Sequence, residues 1–168
     1  VAARHPNLVL ASRLDWSDNK DPYKENHFIR PGHSEGYANM LVDSIATIRL
    51  WAPFFENEKD PKGQPFKSFA AAILEKYDSA ANQRLVKRNN KTETINYTRR
   101  QDRYIWVEGD SILAGLAEPS SLKNKIVLLG YGGMGPNDIE DKKFTPMNEK
   151  YYGKSHPDMY GVLVHANM

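Results

Sequence analysis

Four apolar residues in succession, Ile126, Val127, Leu128 and Leu129, run without alternation and stop at Gly130. An unbroken apolar run bounded by a turn residue predicts a strand buried on both faces, the central strand of a parallel or mixed sheet. Asn7 to Ala11 repeats the pattern as a second short buried strand. Ser17 to Ser34 is polar, holds two prolines and a glycine, and predicts a long loop. Tyr37 to Val42 and Thr47 to Phe55 are β-rich runs around Asp43-Ser44, which predicts an antiparallel pair. Alternation in the second run puts Ile48, Leu50 and Ala52 on the core face and Thr47, Arg49 and Trp51 on the other.

Phe66 to Tyr77 reads as a helix capped by Ser68, with Phe69, Ala70, Ile73, Leu74 and Tyr77 forming one apolar stripe. Leu85-Val86 and Thr92 to Tyr97 read as short strands, Tyr104 to Val107 as a further apolar piece, and Asp110 to Leu116 as a short helix. Tyr160 to His165 reads as a last strand. The pattern predicts an α/β domain, a mixed β-sheet flanked by helices, with residues 1–168 as a single domain.

Gly130, Gly132 and Gly135 match the spacing of a dinucleotide-binding turn. Their context does not match, because Pro136-Asn137-Asp138 leads into a polar stretch with no amphipathic helix whose N-terminus could hold a phosphate. The glycines therefore read as a turn at the end of the strand.

Composition narrows the chemistry further. The 168 residues suit one domain with a real core, which at this length buries roughly 70% of the unfolded surface. A net charge of +2 and no basic run interleaved with aromatics give no nucleic-acid signature. The absence of cysteine removes disulfides, thiolate metal sites and cysteine nucleophiles. His27, His33 and Glu35 are of metal-ligand type, but their spacing matches no compact zinc motif, so neither metal nor cofactor is predicted. There is no GxSxG elbow, and the acidic pair Glu140-Asp141 is flanked by Lys142-Lys143 on a polar loop, which argues against a buried general acid. Tyr151, Tyr152 and Tyr160 are ring candidates for sheet packing or a pocket wall.

An ordered set of residues resembles a known family. Ile95-Asn96-Tyr97, Lys125 to Gly130, Asp138, Thr145-Pro146 and Gly161-Val162-Leu163-Val164-His165-Ala166-Asn167 are similar to the C-terminal half of the CHASE domain of the second type. Asn39, Ile48-Arg49 and Phe69 to Ala72 are similar to its middle section. Two positions depart from the family pattern: Ala46-Thr47 stands where Asp-Gly is usual, and Arg99-Arg100 where Gly-Pro is usual.

The resemblance implies an extracytoplasmic sensory module of a bacterial membrane receptor, without catalysis of its own, joined to transmembrane helices outside this chain. It also implies an α/β sandwich and a partial domain lacking its N-terminal strand and helix. An edge left open in that way would allow a homodimer. The expected ligand is a small molecule or a peptide. Its candidate contacts are Arg49, Gly130, Tyr131, Gly132, Asp138, Thr145, His165 and Asn167. Among them the glycine loop, Asp138 and His165 are expected to form one rim. A cell-surface or periplasmic hydrolase and a structural assembly domain are the two alternatives from other classes.

Overall fold

The structure is a computed structural model that describes residues 5–15, 23–24, 34–56, 63–135, 138–148 and 156–168. The expected loop from Ser17 to Ser34, with His27 and His33, and the Tyr151-Tyr152 pair lie almost wholly outside the described residues. The chain forms two compact units, Val1–Ile95 with Met168, and Asn96–Asn167. Helices and small sheets mix in the way an α/β chain requires.

Unit one is built on β1 (Val9–Leu14), which lies between β2 (Tyr23–Lys24), antiparallel to it, and β3 (Ser34–Tyr37), parallel to it. This sheet is mixed, but its centre is β1 rather than the expected Ile126 to Leu129, and it puts Leu14 and Tyr37 in the core. Asn39 continues the pairing past the strand, accepting from the Leu14 N–H at 2.8 Å and donating to the Leu14 carbonyl at 2.7 Å. Helix α1 (Phe69–Tyr77) packs on β1 and β3. Gly36 lets it come so close, since a Cβ there would stand 2.6 Å from the Phe69 Cα.

The Ser68 cap is present, with its hydroxyl accepting from the Ala71 N–H. The face that α1 buries is different from the predicted stripe: Ala71 and Ala72 are buried, while Tyr77 is exposed. Small side chains face the sheet because the helix sits too close for large ones. Leu85-Val86 is not a strand but part of α2 (Ser79–Arg88). Asp78 caps that helix and Asn89 closes it in the left-handed region, two signals that outweigh the β propensity of a single valine.

The expected antiparallel pair of runs shrinks to one bridge, Leu41 to Leu50. Pro53 splits the second run into β4 (Leu50–Trp51), paired with β7 (Glu93–Thr94), and β5 (Phe54–Phe55), paired with β6 (Phe66–Lys67). The alternation fails accordingly. Ile48 and Trp51 are buried and Leu50 is exposed, because a two-residue ladder does not hold a period of two across six positions.

Unit two has a 3-10 turn at Gln101–Arg103, short helices α3 (Gly109–Leu113) and α4 (Pro119–Leu122), and a small ribbon of β8 (Lys142–Lys143) with β9 (Met159–Tyr160). The last strand predicted from Tyr160 to His165 is instead the end of β9 followed by helix α5 (Gly161–Asn167). Leu163, Val164 and Asn167 are buried at helical spacing, so packing overrides the β-branched propensity of the run.

The stretch expected to be the central strand is also different. Ile126 to Leu129 carry no regular secondary structure, and Leu129 is 89% exposed. A strand buried on both faces exists where neighbours pair with both its edges. Among the described residues no hydrogen bond reaches Ile126 to Gly130.

Candidate functional site

Unit two is organised around Tyr160, which β9 delivers into the core at 2% exposure. Trp106 meets it edge to face at a centroid distance of 6.1 Å, and Tyr131 does so at 6.2 Å. The Lys142 ammonium stands 4.9 Å above the Tyr160 ring.

The glycine loop closes over this cluster. A Cβ on Gly130 would lie 2.8 Å from the Val162 side chain, and Cβ atoms on Gly132 and Gly133 would run into the Trp106 ring and the Tyr160 hydroxyl. Gly133 also needs a φ of +85°, a region closed to most side chains. Close packing against aromatic rings thus accounts for Gly132 and Gly133.

Asp138 clasps the same loop. Its carboxylate accepts from the Tyr131 hydroxyl, from the Met134 N–H at 2.8 Å and from the Glu140 N–H at 2.8 Å. The Tyr131 bond, followed by the two backbone donors, holds the Asp138 carboxyl below the usual carboxylate range, with a smaller contribution from Lys142. The same bond pushes the Tyr131 phenol above its ordinary value.

A second carboxylate fixes the neighbouring loop. Asp158 accepts from the Thr145 N–H at 2.9 Å and from its hydroxyl at 2.6 Å, and the Thr145 hydroxyl oxygen accepts in turn from the Met147 N–H. Thr145 is therefore buried and committed.

Asn167 is a third hub. Its carbonyl oxygen accepts from the Thr98 and Arg99 N–H groups at 3.2 and 3.3 Å. Its amide protons are shared among the Leu163 carbonyl and the Tyr104 hydroxyl, both at 2.9 Å, and the Arg99 carbonyl at 3.3 Å. One buried amide joins the last turn of α5 to the loop that carries Arg100 to Trp106.

Beside these hubs lies an open groove of about 610 Å³, bounded by Arg100, Trp106, Lys142, Met147, His156 and Met159. That volume lies within the range of small-molecule sites. The Trp106 indole N–H donates to the Gln101 carbonyl at 3.3 Å, which fixes the plane of a ring that is 45% exposed. The groove offers a flat apolar face together with cationic and amide groups, a surface suited to holding a ligand by stacking and charge. Unit one has a smaller cavity of about 190 Å³ between β1, β3 and β6.

The structure brings Gly130, Tyr131, Gly132 and Asp138 together in the loop, places Thr145 in the adjacent clamp, and puts His165 and Asn167 on α5. Arg49 belongs to unit one, where its Nε pairs with Asp43 at 3.0 Å across the turn. Trp106, Lys142, His156 and Met159 were missed by the sequence reading. An exposed tryptophan within an apolar tetrapeptide was the available signal for the first of them. Among the described residues no three His, Cys, Asp or Glu side chains stand together as a metal site, and no helix is long and apolar enough to cross a membrane.

The family model of the CHASE2 domain matches residues 2–168. No curated protein and no solved structure matches the chain.

Proposed function

The chain belongs to the CHASE2 domain family, a family of extracellular sensory domains, and from that membership we propose that it is the ligand-sensing module of a bacterial membrane receptor. It acts outside the cytoplasmic membrane, without catalysis of its own, as one sensor domain with an α/β sandwich plan. It passes its signal to transmembrane helices outside this chain, and its ligand is a small molecule or a peptide.

One observation carries the reading beyond the family. Asn167 bonds α5 directly to the 98–104 loop that forms one wall of the groove. A ligand shifts a two-state equilibrium only by binding the two states unequally, and a shared hydrogen-bond hub gives a groove ligand a way to bias the position of α5. Tyr131, Asp138 and Thr145 stand outside the groove lining and serve by bracing the loops beside it, their polar atoms being already engaged.

The test is a thermal-shift screen of the chain against metabolites, sugars, short peptides and divalent metals, repeated on Trp106→Ala. A ligand at a hundred times its dissociation constant adds about 2.7 kcal/mol of stability. The expected result is an organic or peptide ligand whose shift disappears in Trp106→Ala. A shift that survives the substitution removes the groove from the reading, and a screen that yields no stabilising organic molecule or peptide removes ligand sensing.

A further inference from the structure

Two stretches of chain bound the groove, one carrying Arg100 and Trp106 and the other Lys142, Met147, His156 and Met159. Asn167 ties the C-terminal end of α5 to the first of them. The N-terminal end of the helix is tied to the second. The turn leading into β8 is closed by the Lys142 N–H on the Ile139 carbonyl at 3.1 Å, and Asp141 is its corner, with a φ of +57°. In that left-handed region a Cβ crowds the backbone, so Asp141 stays there only under restraint. Three contacts supply it. The Asp141 carbonyl accepts at 3.1 Å from the N–H of Gly161, the first residue of α5. Its carboxylate pairs with Lys143 at 3.0 Å. The same carboxylate lies against Gly161, where an added Cβ would stand 2.9 Å from Oδ2. A negative charge in that place is favoured by the unsatisfied N–H groups of a helix N-terminus.

We propose that Asp141 is a positioning residue that couples the groove to the N-terminal end of α5. Its neighbour Lys142 lines the groove and stands over Tyr160, its partner across the ribbon. A ligand that engages the Lys142 ammonium therefore pulls on the turn whose corner is Asp141. Asp141 is held in a strained conformation by its contacts, so a pull that loosens them lets the turn relax. The displacement passes to α5 through the Gly161 bond and the carboxylate beside it. With Asn167 at the far end, α5 is gripped at both ends by the two stretches that bound the groove, and a ligand bridging them moves the helix as a body. The inference rests on the groove as the ligand site. The coupling itself is open to test without ligand, because an energetic link between two places acts in both directions.

The experiment breaks the Asp141 contact in the whole chain alone and reads the far end of α5 by amide NMR and hydrogen exchange. Asp141→Asn keeps a side chain that tolerates the left-handed turn and removes the charge. Gly161→Ala makes the carboxylate swing aside and leaves Asp141 in place, an independent route to the same break. In Asp141→Asn the Gly161 amide should exchange about two- to fivefold faster, the worth of a charge at a helix N-terminus. In both variants the Lys142 amide resonance should shift together with those of Thr98 and Arg99, which α5 reaches only through Asn167. The response at 98–99 should vanish when either substitution is made in Asn167→Ala. Shifts confined to residues 139–143 and 160–162 make Asp141 a local turn residue and overturn the proposal. A response at 98–99 that persists without Asn167 overturns it too, since the helix is then not the carrier. Failure here leaves the ligand screen standing, and a screen without a ligand leaves this coupling standing.

Discussion

Unit one and unit two differ in how far they bury their apolar residues. In unit one Leu14, Tyr37, Ile48, Trp51, Leu85 and Ile95 are buried between strands, short ladders and two capped helices. In unit two the buried set is concentrated in Met159, Tyr160, Leu163 and Val164, while Ile105, Leu113, Leu116, Val127, Leu129 and Met134 face outward. Polar hubs take over much of the work there: Asn167 ties α5 to the 98–104 loop, Asp138 clasps the 131–140 loop, and Asp158 holds Thr145. The lesson is that a core of side chains makes a rigid scaffold, whereas loops pinned by a few amides and carboxylates can be shifted by a ligand that touches one of them.

The contrast is broken most directly in unit one. Trp51→Ala removes a buried indole from the ladder of β4 with β7 and should cost about 3–5 kcal/mol, measured by urea denaturation. In unit two Asn167→Ala should cost about 1–3 kcal/mol, because it removes a buried amide and with it the acceptor of the Thr98 and Arg99 N–H groups. Its mark in hydrogen exchange should be loss of protection at 98–99 and in α5 together. If those two segments respond separately, the hub does not couple them.

The glycine loop gives a smaller effect with an internal control. Gly132→Ala pushes on the Trp106 ring and should cost about 1–2 kcal/mol while altering tryptophan fluorescence. Gly135→Ala meets nothing within 4 Å and should leave both stability and fluorescence unchanged. Equal effects at the two positions would mean that the loop does not close on the rings.

The Asp138 clasp should respond to acid. Its folded carboxyl titrates below the usual range, so the stability it contributes is present above the unfolded pKa and is lost as pH falls through the folded one. The Met134 and Glu140 amide resonances should therefore shift together on the acid side of the carboxylate range, and Asp138→Asn should abolish that titration. The smallest effect is expected at Leu129→Ala. This side chain is almost wholly exposed, and its loss should stay within about 0.5 kcal/mol of the parent.

Legibility in the sequence followed the range of the interaction. The Ser68 cap with its helix and the short helix opening near Asp110 depend on neighbours in sequence, and each was readable; a strand was readable near Asn7 to Ala11 too, but it runs from Val9 to Leu14 and is buried only at Ser12 and Leu14. The family was readable as well, because the motif Gly161 to Asn167 and its companions are signatures of residue type and order. The conformation of that same motif was not. Val162-Leu163-Val164 has strand propensity, but α5 forms because Leu163, Val164 and Asn167 can be buried at helical spacing and Asn167 can reach the Leu163 carbonyl.

The candidate site divides along the same line. That the glycine loop and Asp138 belong together was legible, since a few residues separate them. That Trp106 and Tyr160 lie against that loop, and that Thr145 is committed to Asp158, required contacts between residues far apart in the chain, for which one sequence carries no local signal.

By itself, then, the sequence determined the α/β character, the capped helix and membership of the CHASE2 family. Each of these rests on local backbone preference or on a pattern of residue types. The tertiary structure decided which apolar runs are buried. Ala71-Ala72 turned inward because α1 lies close on the sheet, Trp51 did so in place of Leu50, and Ile126 to Leu129 stayed outside. Burial depends on which surfaces meet, and a hydrophobic pattern specifies that a surface needs a partner without specifying which partner it finds.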